Sequence, residues 1–265
     1  MAYFTVSSST KPEGQLLSLP PWIWACALAP FIGSFLGVVV TRHDALGSAM
    51  TGRSACDTCG TTLRARDLVP VLSWVASRGH CRHCGASIGW FYPAIEICAL
   101  IVALWSSTAF SGAAFWISCC LGWALVALAV ADFKYLLLPD FLTLPLVAAG
   151  LAANWFLDPA TPIAHVIGAA VGFGAVMVLR FIYERLRGRE GMGVGDAKLL
   201  AAAGAWTGWA GLSSVLAIAA VSALIFALLR GARARHLSLA DSVPFGPFLA
   251  GGLWIVWLYG PLAIA

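Results

Sequence analysis

Long apolar runs separated by short polar connections dominate this chain. Runs near 21–41, 93–110, 113–131, 141–157, 162–183, 197–208, 211–229 and 245–264 each read as a membrane helix. About 20 residues at 1.5 Å rise cross a hydrocarbon core of about 30 Å. The sixth run is the weakest, because Ala201 to Trp209 is short and rich in small residues and can tilt or pack half-buried. Losing it would invert everything downstream. The first 20 residues hold one Lys and one Glu and lack the charged n-region of a cleaved signal peptide, so they are expected to form a short tail before a retained helix.

Composition places these helices in lipid. Apolar residues make up 60% of the chain and charged residues only 11%, against about a quarter charged in soluble domains. Sixteen basic and twelve acidic side chains are too few to coat a soluble protein of 265 residues. The net charge of +4 fits cytoplasmic loops that collect Lys and Arg. Nothing resembles a nucleic-acid recognition module, so no such partner is expected.

The basic residues also orient the chain. With the N-terminus outside, fifteen of the sixteen fall on the cytoplasmic side, and only Lys11 lies opposite. The connections near 111, 158–161 and 209–210 contain no Lys or Arg. The expectation is an all-α bundle of about eight membrane helices. It divides into a tail (1–20), a first helix (21–42), a cytoplasmic insert (43–92) and a seven-helix membrane domain (93–265).

The insert carries Cys56-Asp57-Thr58-Cys59 and Cys81-Arg82-His83-Cys84, with Gly60 and Gly85 just after each pair. Two such C-x-x-C knuckles bring Cys56, Cys59, Cys81 and Cys84 to the corners of a tetrahedron, at near zinc-ribbon spacing. A reducing cytoplasm disfavours disulfides, and neither pair continues into the His of a haem-attachment motif. A redox dithiol pair and unliganded thiols are the alternatives. Four thiolates leave no open position, so Zn²⁺ here would be structural. His80 and His83 read as loop residues, and Cys26, Cys98, Cys119 and Cys120 as small apolar packing groups within spans.

Acidic residues at membrane depth point to function. Asp132 ends the third span, Asp140 follows Pro139, and Asp196 closes Gly193-Val194-Gly195-Asp196; all three fall on the cytoplasmic side of the eight-span reading. Two carboxylates that approach each other share a proton, and such a pair can activate water against a peptide carbonyl without a metal. Glycines 191, 193 and 195 let the backbone run close to a substrate. The plainer readings are that Asp140 is a helix N-cap, that Asp196 caps its own helix, and that Asp132 sits in the headgroup layer beside Lys134.

From Pro30 onward the chain resembles the type IV prepilin peptidases, including those of type II secretion systems. The resemblance rests on Gly33-Ser34-Phe35-Leu36, the paired C-x-x-C motifs, Tyr92-Pro93-Ala94-Ile95-Glu96, Asp132 with Leu137-Leu138-Pro139-Asp140, Gly191 to Leu200, and Pro244-Phe245-Gly246-Pro247-Phe248. It implies a bacterial inner-membrane enzyme with its active site at the cytoplasmic face. Such an enzyme cleaves the basic leader of prepilins or pseudopilins, then N-methylates the new terminus from S-adenosylmethionine. By motif position it makes Asp132 and Asp196 the catalytic acids. The chain departs from the family pattern at Gly37, where relatives usually carry Asn, and at Arg42-His43-Asp44 in place of R-L-P. Other G-x-G-D intramembrane proteases, and a scaffold or transporter with a zinc docking module, are the rival readings; the inverted halves common in transporters are not found.

Overall fold

A computed structural model describes residues 19–42, 54–56, 58–188, 193–234 and 244–262. Among these the long elements are all helical: α1 (Pro21–Thr41), α2 (Leu72–Ala76), α3 (Phe91–Ala109), α4 (Gly112–Tyr135), α5 (Asp140–Leu157), α6 (Pro162–Arg187), α7 (Val194–Ala234) and α8 (Gly246–Tyr259). A single 3-10 turn at Ala65–Asp67 precedes α2. Among the described residues two isolated bridges, Ala55 with Thr62 and His80 with Ser87, are paired as strands would be.

Six of these helices are long and apolar enough to cross a membrane. The longest, α7, breaks at Gly208, which holds φ 68° and ψ 175°. Its two arms match the sixth and seventh runs of the sequence, and the 14-residue α8 matches the eighth. Fourteen residues extend about 21 Å, short of a full span.

The doubtful sixth segment proves to be the centre of the bundle. Ala197, Leu199, Leu200, Ala202, Ala203 and Trp206 are all buried, enclosed by α5, α6 and α8. Its small residues serve contact. A Cβ on Gly204 would stand 2.1 Å from the Gly168 carbonyl oxygen, and one on Gly172 would stand 2.5 Å from that of Leu200. Gly168 and Gly172 thus form a small-x-x-x-small face on α6 that lets two backbones touch, the usual device where lipid supplies no hydrophobic drive.

The break at Gly208 frees carbonyls that a membrane cannot solvate, and side chains from neighbouring helices cover them. Asn154 Nδ2 donates to the carbonyls of Ala205 and Trp206 at 3.0 and 3.1 Å. His165 Nδ1 lies 3.1 Å from the Ala205 oxygen. This marks one end of the bundle. At the other end lie the C-terminus of α4, the N-termini of α5, α7 and α8, and the cysteine insert, joined through the contacts described next.

Candidate active site and metal centre

Asp132 stands in the last turn of α4, which ends when Leu136 adopts a left-handed conformation and returns its N–H to the Asp132 carbonyl at 2.8 Å. Leu137 and Leu138 then lead to Pro139, where α5 begins. Asp132 is 7% exposed. Its Oδ2 accepts the Gly246 N–H at 2.8 Å. Gly246 is the first residue of α8, so the carboxylate sits on a helix N-terminus, where unpaired amides and the dipole favour negative charge. Only glycine fits there: a Cβ would approach Oδ2 to 2.7 Å.

Asp196 opens the first turn of α7, with its N–H on the Gly193 carbonyl at 3.2 Å. It is half-buried and close enough to Asp132 for their charges to interact. Gly195, expected to let the backbone run close to a substrate, serves helix packing here. A Cβ on Gly195 would lie 2.9 Å from Leu138 Cβ, so the missing side chain lets the α4–α5 turn settle against the start of α7. Gly191 lies outside the described residues, as do Lys11, Arg53, Arg189 and Arg235.

Asp140 departs from its expected role. The N-cap of α5 is Pro139, and Asp140 is the first helical residue. Its Oδ1 instead accepts from Lys198 Nζ at 2.5 Å, tying the start of α5 to that of α7. The contribution of Gly246 was not foreseen, although the run Pro244-Phe245-Gly246-Pro247 signals a turn followed by a helix with proline in its first turn.

The four cysteines converge. The Sγ atoms of Cys56, Cys59, Cys81 and Cys84 lie within 4.8 Å of one another, with Cys56 and Cys84 at 3.9 Å. Sulfurs bound to zinc at about 2.3 Å stand about 3.8 Å apart, so this cluster can hold such an ion. The two knuckles are alike. Gly60 and Gly85 hold φ 68° and 71° and return their N–H groups to the carbonyls of Cys56 and Cys81, each at 2.9 Å. The Thr61 hydroxyl and amide bring the Cys59 thiol down to about 6. At Cys84 the Ala86 amide lowers the thiol, but desolvation and the Cys59, Cys81 and Cys56 thiols outweigh it and leave it at about 11. Four thiols that cannot all ionise together are a donor set suited to a divalent cation. His80 hydrogen-bonds with the Arg78 carbonyl at 2.7 Å and stays outside the cluster. Cys26, Cys98, Cys119 and Cys120 are free thiols on the helices.

Gly37, where the chain departs from the family pattern, admits the Tyr92 ring: a Cβ would lie 2.9 Å from Tyr92 Cδ1. His43 and Asp44 lie outside the described residues.

Comparison with known proteins places the chain in a family. The profile of the Bacterial Peptidase A24 N-terminal domain matches residues 27–110, and that of the Type IV leader peptidase family matches residues 119–228. A Prepilin leader peptidase/N-methyltransferase of Burkholderia pseudomallei (strain K96243) is 46% identical, covering 93% of this chain and 89% of its own. One of Aeromonas salmonicida (strain A449) is 36% identical, covering 91% and 92%. The chain belongs to the type IV leader peptidase family. No solved structure matches. As a member of that family it is a polytopic membrane helix bundle in which the N-terminal profile spans the cysteine insert and the leader peptidase profile spans Asp132 and Asp196.

Proposed function

We propose that this chain is an aspartic endopeptidase of the bacterial inner membrane that removes the basic leader of type IV prepilins or pseudopilins and then N-methylates the new terminus. The observation that carries this reading is that Asp132 and Asp196, distant in sequence, come within electrostatic reach of each other at one end of the bundle. One carboxylate accepts a proton from water as its oxygen attacks the scissile carbonyl, and the other, protonated, delivers its proton to the leaving nitrogen. The Gly246 amide supports the ionised form of Asp132.

That end of the bundle faces the cytoplasm in this reading, since the predicted topology assigns every basic residue except Lys11 to that side. A leader rich in Lys and Arg is drawn to an acidic pair at that membrane edge. The division into tail, first helix, insert (43–92) and seven-helix domain (93–265) follows from the same topology. Cys56, Cys59, Cys81 and Cys84 hold a structural Zn²⁺ that braces the insert, with no open position for water. S-adenosylmethionine is the methyl donor; when bound, it supplies an electrophilic methyl group for the new amine.

The test is leader removal from a purified prepilin by wild type, Asp132→Asn and Asp196→Asn, followed by mass. Wild type should yield a product shortened by one leader and heavier by one methyl group. Each variant should leave the substrate intact while folding in the membrane. Processing by both single variants would overturn the assignment.

A further inference from the structure

Two rulers built into the bundle show how deep the cysteine insert reaches. The 19 apolar residues of α3 extend about 28 Å, close to the thickness of a hydrocarbon core, so Phe91 marks one polar edge of the span. Glu96, five residues further in, lies about 7.5 Å inside that edge. Its Oε2 accepts the Val71 N–H at 2.7 Å, which puts Val71 at the same depth. The second ruler is α1. A Cβ on Gly33 would stand 2.6 Å from Glu96 Cα, and Gly33 precedes the end of α1 at Thr41 by eight residues, about 12 Å.

From Val71 the chain climbs back outward through α2. The Trp74 ring stacks on that of Trp90, with centroids 4.1 Å apart. Trp90 is 66% exposed and immediately precedes α3, the place where an indole marks the membrane–water interface. A segment that dips this far leaves the water that would otherwise solvate its amides. The protein satisfies them instead: Glu96 takes the Val71 amide, and the carbonyls of Val69 and Val71 take those of Ser73 and Val75, each at 3.0 Å. The turn also forces Val71 to φ 56°, a conformation that β-branched residues rarely adopt. The buried Glu96 carboxylate thus has a use that leader cleavage does not require.

The face that α2 turns away from the protein is apolar. Leu72 is 68% exposed and Val75, one helical turn on, 59%; Leu68, one turn earlier, is exposed as well. The polar atoms turn inward, Trp74 Nε1 donating to the Ile88 carbonyl at 3.0 Å and Ser77 Oγ to that of Trp74 at 3.1 Å. An apolar strip open to water would be unfavourable. At the depth of Glu96 it meets lipid.

We infer that Leu68–Ala76 is an interfacial anchor, with Leu68, Leu72 and Val75 seated among phospholipid acyl chains on the insert's side of the bilayer. The depth given by α3 falls within the about 5–10 Å to which helices lying in a membrane surface sink. The second cysteine knuckle begins at Cys81, five residues after α2 ends, so the anchor holds the cysteine cluster against the membrane. The inference uses only the placement of the helices in lipid and holds whichever reaction the chain performs.

The test uses the wild-type full chain in liposomes of phosphatidylethanolamine and phosphatidylglycerol that contain a phospholipid with a diazirine midway along one acyl chain. After irradiation and digestion, mass spectrometry should find the lipid adduct on the peptide holding Leu72 and Val75 as well as on the membrane helices. Labelled helices with an unlabelled 68–76 segment would overturn the inference. A second arm replaces Leu72 by p-benzoylphenylalanine, with zinc content equal to wild type as the check on folding. Irradiation should then join residue 72 to phospholipid. A crosslink to a second copy of the chain in place of lipid would assign the strip to a protein interface and overturn the anchor.

Discussion

A single methyl group at position 246 should disarm Asp132 without replacing either acid. Gly246→Ala keeps the amide that donates to Asp132 Oδ2 at 2.8 Å. Its Cβ, however, would stand 2.7 Å from that oxygen and 3.0 Å from Cγ, where ordinary contact begins near 3.4 Å. Either the carboxyl retreats or α8 moves, by about 0.7 Å. The helix does not yield cheaply, because the absent Cβ of Gly252 would already lie 2.6 Å from the Val215 carbonyl oxygen. A retreat of that size lengthens the bond to about 3.5 Å, beyond the 2.7–3.2 Å of an N–H···O hydrogen bond. A hydrogen bond to a charged group contributes about 1.5–3 kcal/mol, so leader cleavage should fall by about 10- to 100-fold. The assay is the initial rate of leader loss at low prepilin concentration. Gly251→Ala is the control, since a Cβ there meets nothing within 4 Å. The reasoning fails if Gly246→Ala cleaves at the wild-type rate, or if Gly251→Ala loses as much.

Gly204→Ala should lower the thermal midpoint in detergent by an amount equivalent to about 1–3 kcal/mol, because its Cβ would lie 2.1 Å from a backbone oxygen of α6; Gly174→Ala, with nothing within 4 Å, should not. Asn154→Ala strips the carbonyls of Ala205 and Trp206 of a donor and should cost about 1–3 kcal/mol in the same measurement. Cys59→Ser should release the metal held by the cluster, read by elemental analysis, and expose the insert to limited proteolysis. A folded, zinc-free wild-type protein purified without chelator would remove the zinc reading.

Much of this was legible in one dimension. Apolar runs of helical length, Lys and Arg confined to alternate connections, and two C-x-x-C pairs each report a local rule: hydrocarbon thickness, charge at a membrane face, and metal-knuckle spacing. The eight-segment reading held even for the short run around Ala201, whose small residues looked like weakness in a lone span. In the bundle they are what allow α7 to sit at the centre. Asp140 shows the limit of local rules: a residue after proline reads as a cap, yet it pairs with Lys198, 58 residues on.

Residue order alone establishes that the chain lives in lipid, which residues form its helices, and which side chains carry ionisable or metal-binding chemistry. Those properties depend on neighbours along the chain. Folding in three dimensions was needed to bring the Gly246 amide to Asp132, Asp196 within electrostatic reach of it, and Glu96 to the Val71 amide across the insert. Contacts between distant segments follow from how helices cross, and a crossing is set by which backbones can approach. Here that choice rests on side chains that are absent: the glycines at 33, 168, 172, 195 and 246, whose spacing in sequence carries no record of the atoms they make room for.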